Sequence, residues 1–146
     1  NVSRTSDFPW AKLRTPEQYL SRVMKTLIPV AGDNNIQRIT ICSAWGVSET
    51  EKDIPGWFRW FIENSNIGVA YKDHERQEKL LINSNLDWTI VRPVGLTNRK
   101  EQEVIESFNN QPKPNIFISR KTVARYLVES LKNEKLIHKK VVISGA

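Results

Sequence analysis

Residues 71–98 read YKDHERQEKLLINSNLDWTIVRPVGLTN. The stretch describes a helix that runs into a buried strand and ends in a loop suited to a ligand. Asp73 is placed to cap the helix start by accepting a backbone N–H. Glu75 and Lys79 stand four apart, in the favourable order for a helical ion pair. His74 and Leu81 are seven apart, so both lie on one helical face. Leu81 belongs in the core, and His74 then points to whatever Leu81 packs on. Asn83, Ser84 and Asn85 stop the helix, because short polar side chains compete for its backbone groups. Residues 87–92 are rich in strand formers, and Pro93 ends the run because it has no N–H for the ladder. Gly95 lets the chain pass close to a ligand.

A second run, RITICS at 38–43, is almost wholly apolar or β-branched. It lacks alternation, as expected of a strand covered on both faces in a parallel sheet. Beyond it come Ala44, Trp45 and Gly46. In open α/β sheets ligands bind outside the carboxyl ends of the strands. Ser43 and Pro93 both stand at such ends.

The remaining chain alternates in the same manner. Residues 1–14 read as a loop. Thr15 is expected to cap a helix, with Pro16 at its first position and Glu17 in its first turn. Tyr19, Leu20, Val23, Leu27 and Val30 supply its apolar stripe, and Pro29 limits the regularity of its last turn. Asp53 and Pro55 introduce a short helix on which Trp57, Trp60 and Phe61 form one stripe. That stripe reads either as packing or as an aromatic wall over a pocket. Val104, Ile105 and Phe108 are spaced for a short helix within 100–109. Residues 116–118 are extended, Ser119 caps a final helix with Val123, Ala124, Leu127, Val128 and Leu131 inward, and 140–144 forms a last strand. The alternation predicts α/β layers around a parallel sheet.

The 146 residues suffice for one domain with a real core. No run of about 18 apolar residues exists, so no membrane span is expected. No secretory leader is visible, which makes the cytoplasm the default. The net charge of +6 is uneven. Residues 1–97 carry 12 basic and 11 acidic side chains, whereas 98–146 carry 10 and 5. The basic residues are scattered without aromatic interleaving, so a solvated face is expected and not a nucleic-acid site. Cys42, the single cysteine, is expected to be a buried, inert thiol. One cysteine and two distant histidines give no metal site.

Three pieces together resemble a known family: the RITICSA strand end, DHERQEKLLINSNLDWTIVRP, and ISRKTVARYL, which has Thr122 where the family usually has Asp. The chain resembles the C-terminal two-thirds of an atypical short-chain dehydrogenase/reductase. Within that group it is similar to the biliverdin/flavin reductases and NmrA-like proteins. The resemblance implies a single Rossmann-type domain, a parallel sheet flanked by helices, and an NAD(P)H cofactor. The fold would be incomplete at its N-terminus: no G-x-G-x-x-G turn is present, and roughly 60–80 further residues would be needed before Asn1, at ~30 per βαβ unit. The resemblance leans to NADP, although the 2′-phosphate site would lie in the absent part.

The family's serine is matched by Ser43. Its Tyr-x-x-x-Lys pair is not: Ala70 and His74 occupy those places, and Tyr71 is one residue out of register. The biliverdin/flavin reductases share the histidine and do without the tyrosine, so Ser43 and His74 become the candidate catalytic residues. The implied cofactor contacts are Arg4, Cys42, Ser43, Ala44, His74, Pro93, Val94, Gly95 and Leu96. Trp45, Trp57 and Trp60 are the candidate substrate pocket, flat and apolar, suited to a flavin or quinone. The leading expectation is hydride transfer from NAD(P)H to a small aromatic or carbonyl acceptor. The alternative is a non-enzymatic NmrA-like dinucleotide sensor that binds a protein partner.

Overall fold

The structure, a computed structural model, describes Thr5 and residues 9–146. The described chain divides into two compact units.

The helical unit comprises 9–35 and Gly46–Ser84. It holds α1 (Tyr19–Asp33), a 3-10 helix (Ser48–Asp53), α2 (Gly56–Glu63) and α3 (Ile67–Ile82). α1 starts at Tyr19, later than its sequence suggests, with Pro16 and Glu17 in the preceding turn. The N-cap residue Gln18 supplies no side-chain cap. Asp73, on α3, supplies it instead. Its Oδ2 accepts from the Leu20 amide at 2.7 Å, and its Oδ1 accepts from the Ser21 amide at 3.2 Å and the Ser21 hydroxyl at 2.6 Å. Two of the four amides that every helix start leaves unpaired are thereby satisfied. The local cap expected of Asp73 is thus replaced by a distant one, because α3 begins six residues earlier, at Ile67. Asp73 is fully buried.

α1 buries Ser21, Met24 and Ala31. Its predicted apolar stripe faces outward: Tyr19, Val23, Leu27 and Val30 are all exposed. Pro29 lies inside the helix, which still continues to Asp33. α2 also turns its tryptophans out, with Trp57 69% and Trp60 60% exposed. Ile62 is its buried residue, and Phe61 meets the Trp10 ring edge-on at 5.9 Å. α3 ends as expected, with the Ser84 hydroxyl donating to the Leu81 carbonyl at 2.7 Å. Leu81 is fully buried. Glu75 and Lys79 form the expected pair at 2.7 Å.

The sheet unit comprises Ile36–Trp45 and Asn85–Ala146. Its main sheet has the order β1-β2-β6-β4, from β1 (Arg38–Cys42), β2 (Asp87–Pro93), β6 (Lys139–Gly145) and β4 (Val104–Ser107). β1 pairs parallel with β2, and β2 with β6; β4 runs antiparallel to β6. A smaller parallel pair joins β3 (Gly95–Thr97) to β5 (Phe117–Ser119). β2 is buried along almost its whole length, with Thr89 and Arg92 buried among its apolar residues. β1 is an edge strand, so it is only half covered and not buried on both faces as its composition suggests.

The helix expected within 100–109 is β4. Val104 and Ile105 are β-branched, and pairing with β6 decides between two readings that local spacing leaves open. Ser119 caps α4 (Arg120–Ser130) as expected, its Oγ accepting from the Thr122 amide at 3.1 Å. Thr122 extends the joint, its hydroxyl accepting from the Gln102 amide at 2.9 Å. α4 packs on β1, β2 and β5 through a face that includes Thr122, Val123, Tyr126 and Ser130. Ala124, Val128 and Leu131 are exposed, against expectation. Arg38 ties strand to helix: it donates to the Asp87 carbonyl at 2.7 Å, the Thr89 hydroxyl at 2.6 Å and the Ser130 carbonyl at 2.8 Å. The chain is α/β, with a mostly parallel sheet.

Candidate functional site

In the sheet unit the candidate residues gather at the carboxyl ends of β1 and β2. The parallel ladder outlasts β1 itself: the Ser43 amide donates to the Val91 carbonyl at 2.7 Å, and the Trp45 amide to the Pro93 carbonyl at 3.0 Å. Ser43 is thereby pinned beside the last turns of β2. Its side chain is buried, and its Oγ has no hydrogen-bond partner among the described residues. A buried hydroxyl without a partner costs about 1–3 kcal/mol. Such a group stands out at a strand end where this fold class binds ligands.

Pro93 does not lead into a loop. Val94 is buried and Gly95 opens β3. The Val94 amide donates to the Ile143 carbonyl at 3.2 Å, and the Gly95 amide to the Ile116 carbonyl at 3.0 Å. Both N–H groups are engaged, so neither is an amide donor for a ligand. Gly95 has a packing reason to be glycine: a Cβ there would lie 2.8 Å from the Ile116 carbonyl oxygen. Leu96 is exposed, and Ala44 is partly buried.

Cys42 corrects the expectation of a buried thiol. It is exposed, because β1 lies at the sheet edge. The surrounding protein still pushes its thiol up to about 11 by desolvation, so it stays protonated near neutrality. Trp45 is buried. Arg4 lies outside the described residues.

In the helical unit Tyr71 and His74 sit one turn apart inside α3, not at its start. His74 is partly buried and its Nδ1 has no hydrogen-bond partner among the described residues. Burial lowers its pKa, outweighing the opposite pull of Gln77, Glu78 and Asp73. Neutral imidazole is therefore the resident form at pH 7. A histidine whose folded pKa is depressed binds fewer protons than the unfolded chain. Its contribution to stability is complete above the unfolded value of about 6.5 and is lost as pH falls toward the lower folded pKa. The stability of the chain, followed by urea unfolding between pH 7.5 and 5, is expected to fall, and His74→Gln should flatten that part of the profile.

Tyr71 shifts the wrong way for an acid catalyst: burial raises its phenol to about 12. It lines a cavity of the helical unit together with Gly46, whose φ of +98° excludes a side chain without strain. The tryptophans do not form that cavity; Trp57 and Trp60 face solvent. The residues that do line it, Arg59 and Lys72 among them, carry no motif and gather only through the packing of α2, α3 and the 3-10 helix. Among the described residues no three His, Cys, Asp or Glu side chains gather for a metal ion, and no helix is long and apolar enough to cross a membrane.

The sequence pattern of NAD(P)H-binding proteins matches residues 5–134. The chain belongs to the NAD(P)H-binding family. As a member of that family it shares its fold with solved Rossmann-type proteins. A wide-type short-chain dehydrogenase/reductase from Veillonella parvula, solved in complex with NADP, superposes with a TM-score of 0.72 at 19% identity; the match covers 85% of this chain and 58% of that one. ChuY, an anaerobilin reductase of Escherichia coli O157:H7, gives 0.71 at 20% identity over 86% and 58%. A Rossmann-fold NAD(P)-binding family protein from Shigella flexneri gives 0.64 at 22% identity over 97% and 61%. The chain thus spans about three fifths of the length of each. No curated protein matches it by sequence.

Proposed function

We propose that this chain is the nicotinamide-side part of an NAD(P)H-dependent reductase of the atypical short-chain dehydrogenase/reductase type. Its acceptor would be a small aromatic or carbonyl compound such as a flavin or quinone. The observation that carries the reading is the buried Ser43 hydroxyl, left without a partner at the carboxyl end of a parallel strand pair. A cofactor carboxamide or an acceptor oxygen would satisfy it. Bound nicotinamide supplies the hydride. Ser43 would hold or polarise the group beside it, while Val94 would offer apolar surface. His74, neutral and with a free ring nitrogen, would accept a hydrogen bond from a ribose hydroxyl or an ordered water.

The proposal includes a glycine-rich βαβαβ half that precedes this chain in the working domain. Two features support it. β1, the strand that leads into Ser43, pairs on one side only among the described residues. α1 exposes an apolar stripe of Tyr19, Val23, Leu27 and Val30. A further strand on β1 and a sheet under α1 would cover both. The 146-residue chain alone is then expected to bind NADPH no tighter than about millimolar, since each tenfold of affinity corresponds to about 1.4 kcal/mol of contacts that the absent half would provide. Micromolar affinity of this chain in a fluorescence titration would sink the two-half reading.

Variants separate the chemistry. In the protein that turns over, His74→Ala should raise the Kd for cofactor severalfold, and Tyr71→Phe should leave turnover within about twofold. A tyrosine acting as the acid would instead cost about 10²–10⁴ in rate. A Tyr71→Phe loss of that size would overturn the assignment. The raised Tyr71 phenol also favours a second reading, a dinucleotide sensor of the NmrA kind without hydride transfer. Cofactor binding without oxidation of NADPH by any flavin, quinone or carbonyl acceptor would decide for it.

A further inference from the structure

The helical unit contains a cavity of about 420 Å³, a size that suits a ring-bearing small molecule. Ile54, Ile62, Val69 and the Tyr71 ring give it an apolar wall. Charged side chains line it as well. One of them, Glu75, is engaged by Lys79 at 2.7 Å. The other four are Glu51, Arg59, Glu63 and Lys72, two of each sign. None of the four forms an ion pair among the described residues. Arg59 is nevertheless held in place. Its Nε and Nη2 both donate to the Glu51 carbonyl, at 3.2 and 3.0 Å, which leaves Nη1 for another acceptor.

Opposite charges that share a cavity without closing on each other complement a molecule that carries both signs. A ligand of one sign gains from one pair and is repelled by the other. A polyanion such as a pyrophosphate meets two unpaired carboxylates. We infer that this cavity binds a small zwitterion with a ring-sized apolar body. Its carboxylate lies against Arg59 and Lys72, its ammonium against Glu51 and Glu63, and its ring against Ile54, Ile62 and Tyr71. The inference does not depend on hydride transfer, because the site needs no cofactor to be formed.

The test uses four probes with one phenyl body: phenylalanine, 3-phenylpropionate, 2-phenylethylamine and benzyl alcohol. Each is titrated into the ¹⁵N-labelled 146-residue chain, and amide shifts of residues 46–75 are followed. Phenylalanine should bind about tenfold tighter than either singly charged probe, the scale of one charge-assisted hydrogen bond. Arg59→Met should weaken phenylalanine and phenylpropionate but not phenylethylamine. Glu63→Gln should weaken phenylalanine and phenylethylamine but not phenylpropionate. Glu63 is exposed and Arg59 partly buried, and circular dichroism checks that the variants fold. The proposal is overturned if no probe shifts these amides at 20 mM, if a singly charged probe binds as tightly as phenylalanine, or if the two variants fail to separate the probes. No cofactor is present, so these outcomes leave the dinucleotide reading untouched.

Discussion

Ser43→Ala is expected to lower turnover about 10²-fold while leaving the Kd for cofactor within about twofold. Removing one preorganised donor at a reacting oxygen has a cost of this order. An interaction made only in the transition state lowers kcat and not affinity. The same substitution should not destabilise the fold. The Ser43 hydroxyl is buried without a partner, and a methyl group in its place removes an unsatisfied polar atom. The urea midpoint should therefore stay level or rise. A purely structural serine gives the opposite pair of results, unchanged turnover with lower stability. Steady-state kinetics and urea unfolding on one preparation read both.

Asp73→Ala is expected to destabilise the chain by about 3 kcal/mol or more, because three donors lose a carboxylate acceptor inside the protein. The carboxylate also lies at the positive end of the α1 macrodipole, which adds to the loss. Asp73→Asn keeps one acceptor oxygen and should cost roughly half as much. Ser21→Ala removes only one of the three donors and should cost about 1 kcal/mol. Chemical denaturation orders the three variants. An Asp73→Ala chain as stable as the parent would show that α1 is not held to α3 in this way.

β2 and β6 were legible because their composition follows from burial. β2 is covered almost throughout, and residues 87–93 are rich in strand formers although Asp87, Thr89 and Arg92 are polar. The end of α3 was equally plain, since Ser84 acts locally on the Leu81 carbonyl. Its start was not: Asp73 reads as the cap of the helix, yet the helix begins at Ile67. Asp73 was misassigned for a related reason. A carboxylate near an apparent helix start reads as its cap, whereas its partners lie 52 and 53 residues away in sequence. β4 shows a third kind of limit. Val104, Ile105 and Phe108 fit a helical spacing, and the antiparallel partner β6 decides otherwise. The place of Ser43 at a strand end could be read from RITICS, but its unpaired hydroxyl could not. Nor could the exposure of Cys42, which follows from β1 having one neighbour, or that of Trp57 and Trp60.

The most direct test of the central claim is a titration of the ¹⁵N-labelled chain with NADPH, read amide by amide. The account predicts weak, saturable shifts concentrated at residues 42–45 and 94–96 and at His74, which persist with a similar Kd in Ser43→Ala. Shifts confined to other residues, or none with cofactor at 10 mM, would contradict it.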